Sequence, residues 1–485
     1  VYRDGEHPLG SWKDIKNWCN YIYKKENNDN HPLIIHAVRI TLEQLEKDEE
    51  EFNKAQLESR DHHLSLVSKW IPREKSKDSW LFKKMAKTYN HHILSSTHAN
   101  ANANANANAN TNNEDSKERA KRKVYMNFRK LISKLNNYLD ATQIKMCNND
   151  WSSINFNNVT SQTMQNQKKS FLNIRKNKEV RFDTSDRRQC AVNLKEFIQK
   201  AKTGEVTLKG KRCSLDQLVK DAQSVEHDNQ DMIDIINGQW ETFKSQVDSL
   251  EHIIPMCDTS ASMTINNSVP LYVAIGLSIL LSEKNSKSFE NRILTFSNQP
   301  TWVTLDSEST FVDKVKTVSK ANWGMNTNFY KAMNLILEVI IQYKIAPAEV
   351  SKMTLAIFSD MQIDNAINQT NNWGSQGSSQ VSSQNYKIML ESIDELYANA
   401  GLRSSYKVPF TRPHILFWNL AGSSGFPSSS TTNNVTMISG YSPTLLKNFT
   451  EGDVKSVTDI TPFTFLMDIL NNKRYDFIDR IFEEI

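Results

Sequence analysis

Cysteine is scarce in this chain and none of it is arranged for cross-linking or zinc. The 485 residues hold five cysteines, Cys19, Cys147, Cys190, Cys213 and Cys257. The count is odd and no two form a C-x-x-C pair, which excludes a disulfide framework and a cysteine-type zinc site and suits a reducing compartment. Long apolar runs are lacking too. The longest, Val269–Leu281, contains a glycine and is too short to span a bilayer, so no membrane partner is expected. No secretory signal is visible at the start, which is Val1 and not Met, and the sequence shows no phosphate-binding P-loop, no G-x-G-x-x-G after a strand and no serine nucleophile elbow. The expectation is a cytoplasmic, non-catalytic protein.

Two charge regimes are present under a net charge of +4. Residues 51–200 carry 28 Lys and Arg against 14 Asp and Glu, a net +14, and residues 251–485 carry 18 against 22, a net −4. A basic segment joined to a mildly acidic one points to a polyanionic partner for the first, unless the charges are merely solvated helix faces. Candidate phosphate contacts are Lys117, Arg119, Lys121, Arg122, Lys123, Arg129, Lys168, Lys169, Arg175, Lys176 and Lys178. Tyr125, Phe128 and Phe171 lie among them and either stack on bases or, as helical spacing favours for Phe128, pack in a core.

The periodicity divides the chain. Residues 1–245 read as a helical domain of short helices in series, HEAT-like in style, with no repeat period firm enough to fix. Ser11 is a candidate N-cap with Asp14 at the third helical position. Alternating Ala and Asn place a disordered insertion at 98–116. Residues 246–485 alternate short apolar runs with amphipathic helices, the signature of βαβ units and a doubly wound, Rossmann-like, mostly parallel sheet. The expected strands are Ile253–Cys257, Ile293–Phe296, Trp302–Leu305, Thr354–Phe358, Ile415–Asn419 and Val435–Ile438. The second and third form a hairpin, so one edge strand is antiparallel.

Ligands of such sheets sit beyond the carboxyl ends of the strands. Asp258-Thr-Ser260-Ala-Ser262 follows the first strand, Ser359-Asp360 follows the fourth, and Thr327 sits in a glycine-containing loop before a helix. Two carboxylates and three hydroxyls, without Cys or His, suit Mg²⁺, or else Mn²⁺ or Ca²⁺. The order Asp258-x-Ser260-x-Ser262, Thr327, Asp360 resembles the metal-ion-dependent adhesion site of von Willebrand factor A domains. That resemblance implies metal contacts at all five residues, direct or through water, and an acidic protein ligand on the metal. Ala261 stands where the family commonly has Gly.

Further segments resemble domain of unknown function 2828, a family of plant, fungal and giant-virus proteins. They are Ser11-Trp-Lys-Asp, Ser68-Lys-Trp-Ile-Pro-Arg-Glu, Thr142-Gln-Ile-Lys-Met-Cys, Pro255-Met-Cys-Asp-Thr-Ser-Ala-Ser-Met, Asn322-Trp-Gly-Met-Asn-Thr-Asn-Phe and Phe417-Trp-Asn-Leu. The resemblance extends over nearly the whole chain and implies further helices before Val1; the Asn-rich insertions fit a viral source. The order of parts is also similar to TROVE-module proteins such as the Ro autoantigen, which implies a small structured RNA as partner. The expected function is RNA binding by a ribonucleoprotein-like chain. The alternative is a metal-dependent protein–protein scaffold, distinguished by scattered charge rather than one basic stripe.

Overall fold

Ser11 opens the first helix and is held by Asp14 at the third helical position. Its backbone N–H donates to Asp14 Oδ2 at 2.6 Å and its hydroxyl donates to the same oxygen at 3.2 Å. A carboxylate there also suits the positive end of the helix dipole. The computed structural model describes residues 11–58, 64–99, 114–175, 177–247, 250, 252–321, 328–361, 383–422, 432–441, 467 and 471, with backbone alone at 91–99, 114–117 and 383–387. The Ala/Asn insertion expected at 98–116, apart from helix ends, and Thr327 lie outside these. The chain divides into two compact units, Val1–Asn158 with Asp468–Ile485, and Val159–Met467.

The first unit is helical. Its elements are α1 (Trp12–Glu26), α2 (Pro32–Glu58), α3 (Val67–Trp70), α4 (Ser79–Ala99), α5 (Glu114–Tyr138) and α6 (Thr142–Cys147). Trp12, Ile15, Cys19 and Ile22 recur every three or four residues and give α1 one buried stripe. Ile34, Val38, Leu42 and Leu45 do the same for α2. These stripes meet Phe82 of α4 and Phe128 of α5 in a single core, with the two rings 5.5 Å apart. Asp48 is buried on α2 and accepts from the Ser65 hydroxyl at 2.7 Å and Gln44 Nε2 at 2.9 Å, so its burial is compensated.

The second unit opens with four more helices, α7 (Ser161–Phe171), α8 (Ser185–Lys202), α9 (Leu215–Ser224) and α10 (Gln230–Lys244). An α/β region follows. Its strands are β1 (Ile253–Cys257), β2 (Arg292–Thr295), β3 (Trp302–Thr304), β4 (Thr354–Ser359), β5 (His414–Asn419) and β6 (Val435–Ser439). They form one sheet in the order β3-β2-β1-β4-β5-β6, parallel throughout except for β3 at one edge. All six strands and the antiparallel edge match the sequence expectation. The connecting helices are α11 (Ile265–Glu283), α12 (Phe311–Lys320), α13 (Phe329–Gln342), α14 (Pro347–Val350) and α15 (Ser383–Arg403).

Burial on both faces explains the apolar runs of the central strands. Ile254, Met256, Leu355, Ile357, Ile415 and Phe417 pack with α13 and α15 through Met333, Ile336, Ile393 and Tyr397. The alternate positions, such as Cys257, Phe358 and Trp418, are buried on the other side, where α11 lies on β1. α9 in turn lies on α11 and α12. The approach is close at Gly276, where an added Cβ would stand 2.7 Å from Leu215 Cδ1. Trp240 of α10 stacks on Phe311 of α12, centroids 4.0 Å apart. Buried Glu283 accepts from Lys314 at 2.8 Å, Lys244 at 3.2 Å and Trp240 Nε1 at 3.2 Å, tying α10, α11 and α12 together. These contacts join α7–α10 to the α/β region, and the compact unit runs Val159–Met467.

One helix among the described residues, Ala261–Glu283, is long and apolar enough to cross a membrane. Its residues Val273–Ser282 are buried within the second unit, which accounts for their apolarity.

Candidate metal and ligand site at the strand ends

β1 runs into Asp258, whose N–H donates to Phe358 O at 3.0 Å and so extends the pairing with β4 by one residue. The carboxylate is 2% exposed. Oδ1 accepts the Ser260 N–H at 2.8 Å, and Oδ2 accepts the Ser359 hydroxyl at 2.6 Å. The Met361 N–H donates to Ser359 Oγ at 3.1 Å, so this serine joins the turn after β4 to the end of β1. A short 3₁₀ turn, Ala261–Thr264, follows, and the Ser260 and Ser262 hydroxyl oxygens stand 2.9 Å apart. Asp360 is buried beside this cluster at the end of β4.

Burial pushes the Asp258 carboxyl above the ordinary carboxylate range; the Ser359 and Ser260 hydrogen bonds oppose this and the negative charge of Asp360 adds to it. A buried carboxylate with a second one beside it, and no cation among the groups that shift Asp258, forms a place short of positive charge. Every donor atom is a hard oxygen, which fits Mg²⁺ or Ca²⁺ and not a thiolate-seeking metal. No group of three or more His, Cys, Asp or Glu side chains suited to a metal occurs among the described residues, so the hydroxyls are integral to the fit.

Four of the five sequence-derived ligands thus fall on two adjacent strand ends. Thr327 lies outside the described residues. The neighbouring Asn328 caps α13 and donates its N–H to Ser297 O at 3.1 Å, just beyond β2. Ser359 is the residue the sequence reading left without a role, although it stands next to Asp360. Thr259 Oγ1, also unassigned, is buried without a hydrogen-bond partner among the described residues. Asn419, in the Phe417-Trp-Asn-Leu segment, orders the loop after β5 by accepting the Ala421 and Gly422 N–H groups at 3.0 and 2.9 Å. His252 sits at the far end of β1, 3.5 Å from Glu349, and has no part in the cluster.

The basic candidates are less coherent than their sequence clustering implies. Lys117 lies on α5 and Lys176 outside the described residues. Arg119, Lys121, Arg122, Lys123 and Arg129 are exposed on α5 in the first unit; Lys121 pairs with Glu118 at 3.4 Å and Arg129 with Glu74 at 2.6 Å. The remainder belong to the second unit. Lys169 is exposed, Arg175 pairs with Glu179 at 3.9 Å, and Lys178 is held by Glu226 and Asp228. Lys168 corrects the expectation outright: it is 4% exposed, and its ammonium donates to Gln165 O at 2.6 Å and to Asp221. Of the two readings of the aromatics, packing in a core is the one that holds, as helical spacing favours for Phe128. Phe128 and Phe171 are buried, and Tyr125 is half-buried against Phe82, so they are core residues rather than an exposed stacking platform.

All five cysteines are free thiols, and Cys147 alone is exposed. Burial pushes the Cys19 and Cys190 thiols up to about 11 and those of Cys213 and Cys257 up to about 12, so these four are not thiolate nucleophiles near neutral pH.

Comparisons with known proteins divide the chain at residue 252, and not at the 158/159 boundary of the compact units. An uncharacterised protein of Acanthamoeba polyphaga mimivirus is 26% identical over 348 residues, 71% of this chain. The chain matches about half of that relative's own length, 54%. The crystal structure of Deinococcus radiodurans RO (RSR) protein aligns over 93% of this chain and 96% of its own, at 9% identity and a TM-score of 0.30. At that score the likeness carries no argument about fold or function. The expectation of one family over nearly the whole length is corrected by the family models, because the Asp258 and Phe417 segments fall in the second of two. Residues 13–252 match Domain of unknown function (DUF2828), and residues 252–467, which hold the strand-end cluster, match Domain of unknown function (DUF7788).

Proposed function

We propose that this chain is a non-catalytic binding protein whose α/β region is a von Willebrand factor A-like domain with a metal-dependent ligand site. The observation carrying this reading is Asp258, a buried carboxylate at the end of a central strand, held by hydroxyl and amide donors with the Ser260 and Ser262 hydroxyls close by. The strand order with its antiparallel edge supports it. Asp258, Ser260, Ser262, Thr327 and Asp360 would hold Mg²⁺, or else Mn²⁺ or Ca²⁺, directly or through water. The ion would supply a positive centre with a coordination position left for a partner's carboxylate. The protein's own residues fix the site: Ser359 orients the Asp258 carboxylate, and the turn at Ala261–Thr264 places Ser262 beside Ser260.

An acidic protein partner fits this site better than RNA fits the basic segment, since Lys168 is buried and Arg175 and Lys178 are paired. One observation favours RNA as a second ligand. Arg119, Arg122, Lys123 and Lys130 are exposed at helical spacing on α5, a stripe able to follow phosphates. In that reading the helical part is the HEAT-like or TROVE-like binding element. Crosslinked pull-down in Mg²⁺ and in EDTA tests the proposal. A protein retained in Mg²⁺ but lost in EDTA and with Asp258→Ala is the expected result. Retention indifferent to both would contradict it, and enrichment of a defined RNA under the same conditions would promote the second reading.

A further inference from the structure

The first unit contains a cavity of about 470 Å³, within the range typical of small-molecule sites. α3 with the loop to residue 75, one face of α5 and the turn at 141–144 line it. Two segments set out above, Ser68-Lys-Trp-Ile-Pro-Arg-Glu and Thr142-Gln-Ile-Lys-Met-Cys, therefore meet around a single space. Metal binding at Asp258 uses neither.

The lining separates by chemistry. Trp70, Ile71, Phe82, Ile132 and Ile144 provide apolar walls. Four cations and one carboxylate complete it. The carboxylate, Glu74, is taken by Arg129 at 2.6 Å. Arg73 donates to Cys147 Sγ at 3.1 Å, a sulfur and not a counter-ion. Lys69 and Lys75 have no acidic partner among the described residues. Lys69 is also half-buried, and desolvation lowers its pKa. An ammonium partly removed from water without a counter-ion is costly unless something anionic joins it.

We propose that this cavity binds a small organic anion, with its phosphate or carboxylate head on Lys69, Arg73 and Lys75 and its aromatic or aliphatic body against Trp70, Ile132 and Ile144. Nucleoside monophosphates and short acyl carboxylates share that chemistry. Calorimetric titration of the whole chain with AMP and, separately, with octanoate distinguishes them, and inorganic phosphate and adenosine serve as half-molecules. At least one amphipathic probe is expected to bind, with AMP at least tenfold tighter than either of its halves if the ligand is a nucleotide. Lys69→Met is expected to weaken that binding at least tenfold. Ser133→Trp, on an exposed position at the cavity edge, removes no charge and is expected to abolish binding by filling the space, which keeps the test open if Lys69→Met does not fold. Failure of both AMP and octanoate to bind at millimolar concentration, or binding unaffected by either substitution, would overturn the proposal.

Discussion

Asp258 couples proton, metal and stability at one carboxyl group. Its folded pKa is raised, chiefly by burial, above the unfolded value of about 3.9. Between those two values the folded chain keeps a proton that the unfolded chain releases, so metal-free stability falls as pH rises through that window. Mg²⁺ needs the ionised carboxylate, so its affinity should rise with pH across the same window and level off above it. Thermal midpoints measured from pH 4 to 8 should therefore decline in EDTA and hold level or rise in saturating Mg²⁺. Parallel curves in the two conditions would separate the metal from Asp258. Lys168 behaves differently from its neighbours in sequence. Lys168→Ala leaves Asp221 without its buried partner and should cost about 3 kcal/mol in urea unfolding, while RNA retention stays unchanged. A loss of RNA with full stability would restore Lys168 to the binding surface.

The strands were legible because burial on both faces writes continuous apolar runs, as in Ile253–Cys257 and Thr354–Ser359. α11 begins less regularly. Its assigned span starts at Ile265, but Asn266, Asn267 and Ser268 take left-handed backbone, so regular helix begins near Pro270, where proline suits a first turn. What periodicity did not disclose was which partner a buried face meets. The allegiance of α7–α10 to the sheet rests on contacts between distant residues, such as Leu215 against Gly276. Helical spacing likewise could not decide whether Tyr125 and Phe171 turn toward solvent or core. The exposed stripe of α5 remains the element to test for RNA. Changing Arg119, Arg122 and Lys123 together to Ala should lower the salt-dependence slope of any single-stranded RNA binding by about two. An unchanged slope removes α5 from that surface.

On the scale of the whole molecule, two regions with separate family matches carry two different kinds of chemistry. The helical one has exposed cations and an apolar-walled cavity; the α/β one has a cluster of hard oxygen donors. The strand-end ligands were readable because each follows an apolar strand directly, as Asp258 follows Cys257 and Asp360 follows Ser359. Ser359 was not, since only pairing of β1 with β4 brings its hydroxyl to Asp258 across a separation of 101 residues. The most direct test of the central claim is calorimetric titration of Mg²⁺ into the full chain and into Asp258→Ala. Saturable binding near one ion per chain, absent in an Asp258→Ala variant that retains its circular dichroism, is the predicted result. No binding to the unaltered chain, or equal binding to the variant, would contradict it.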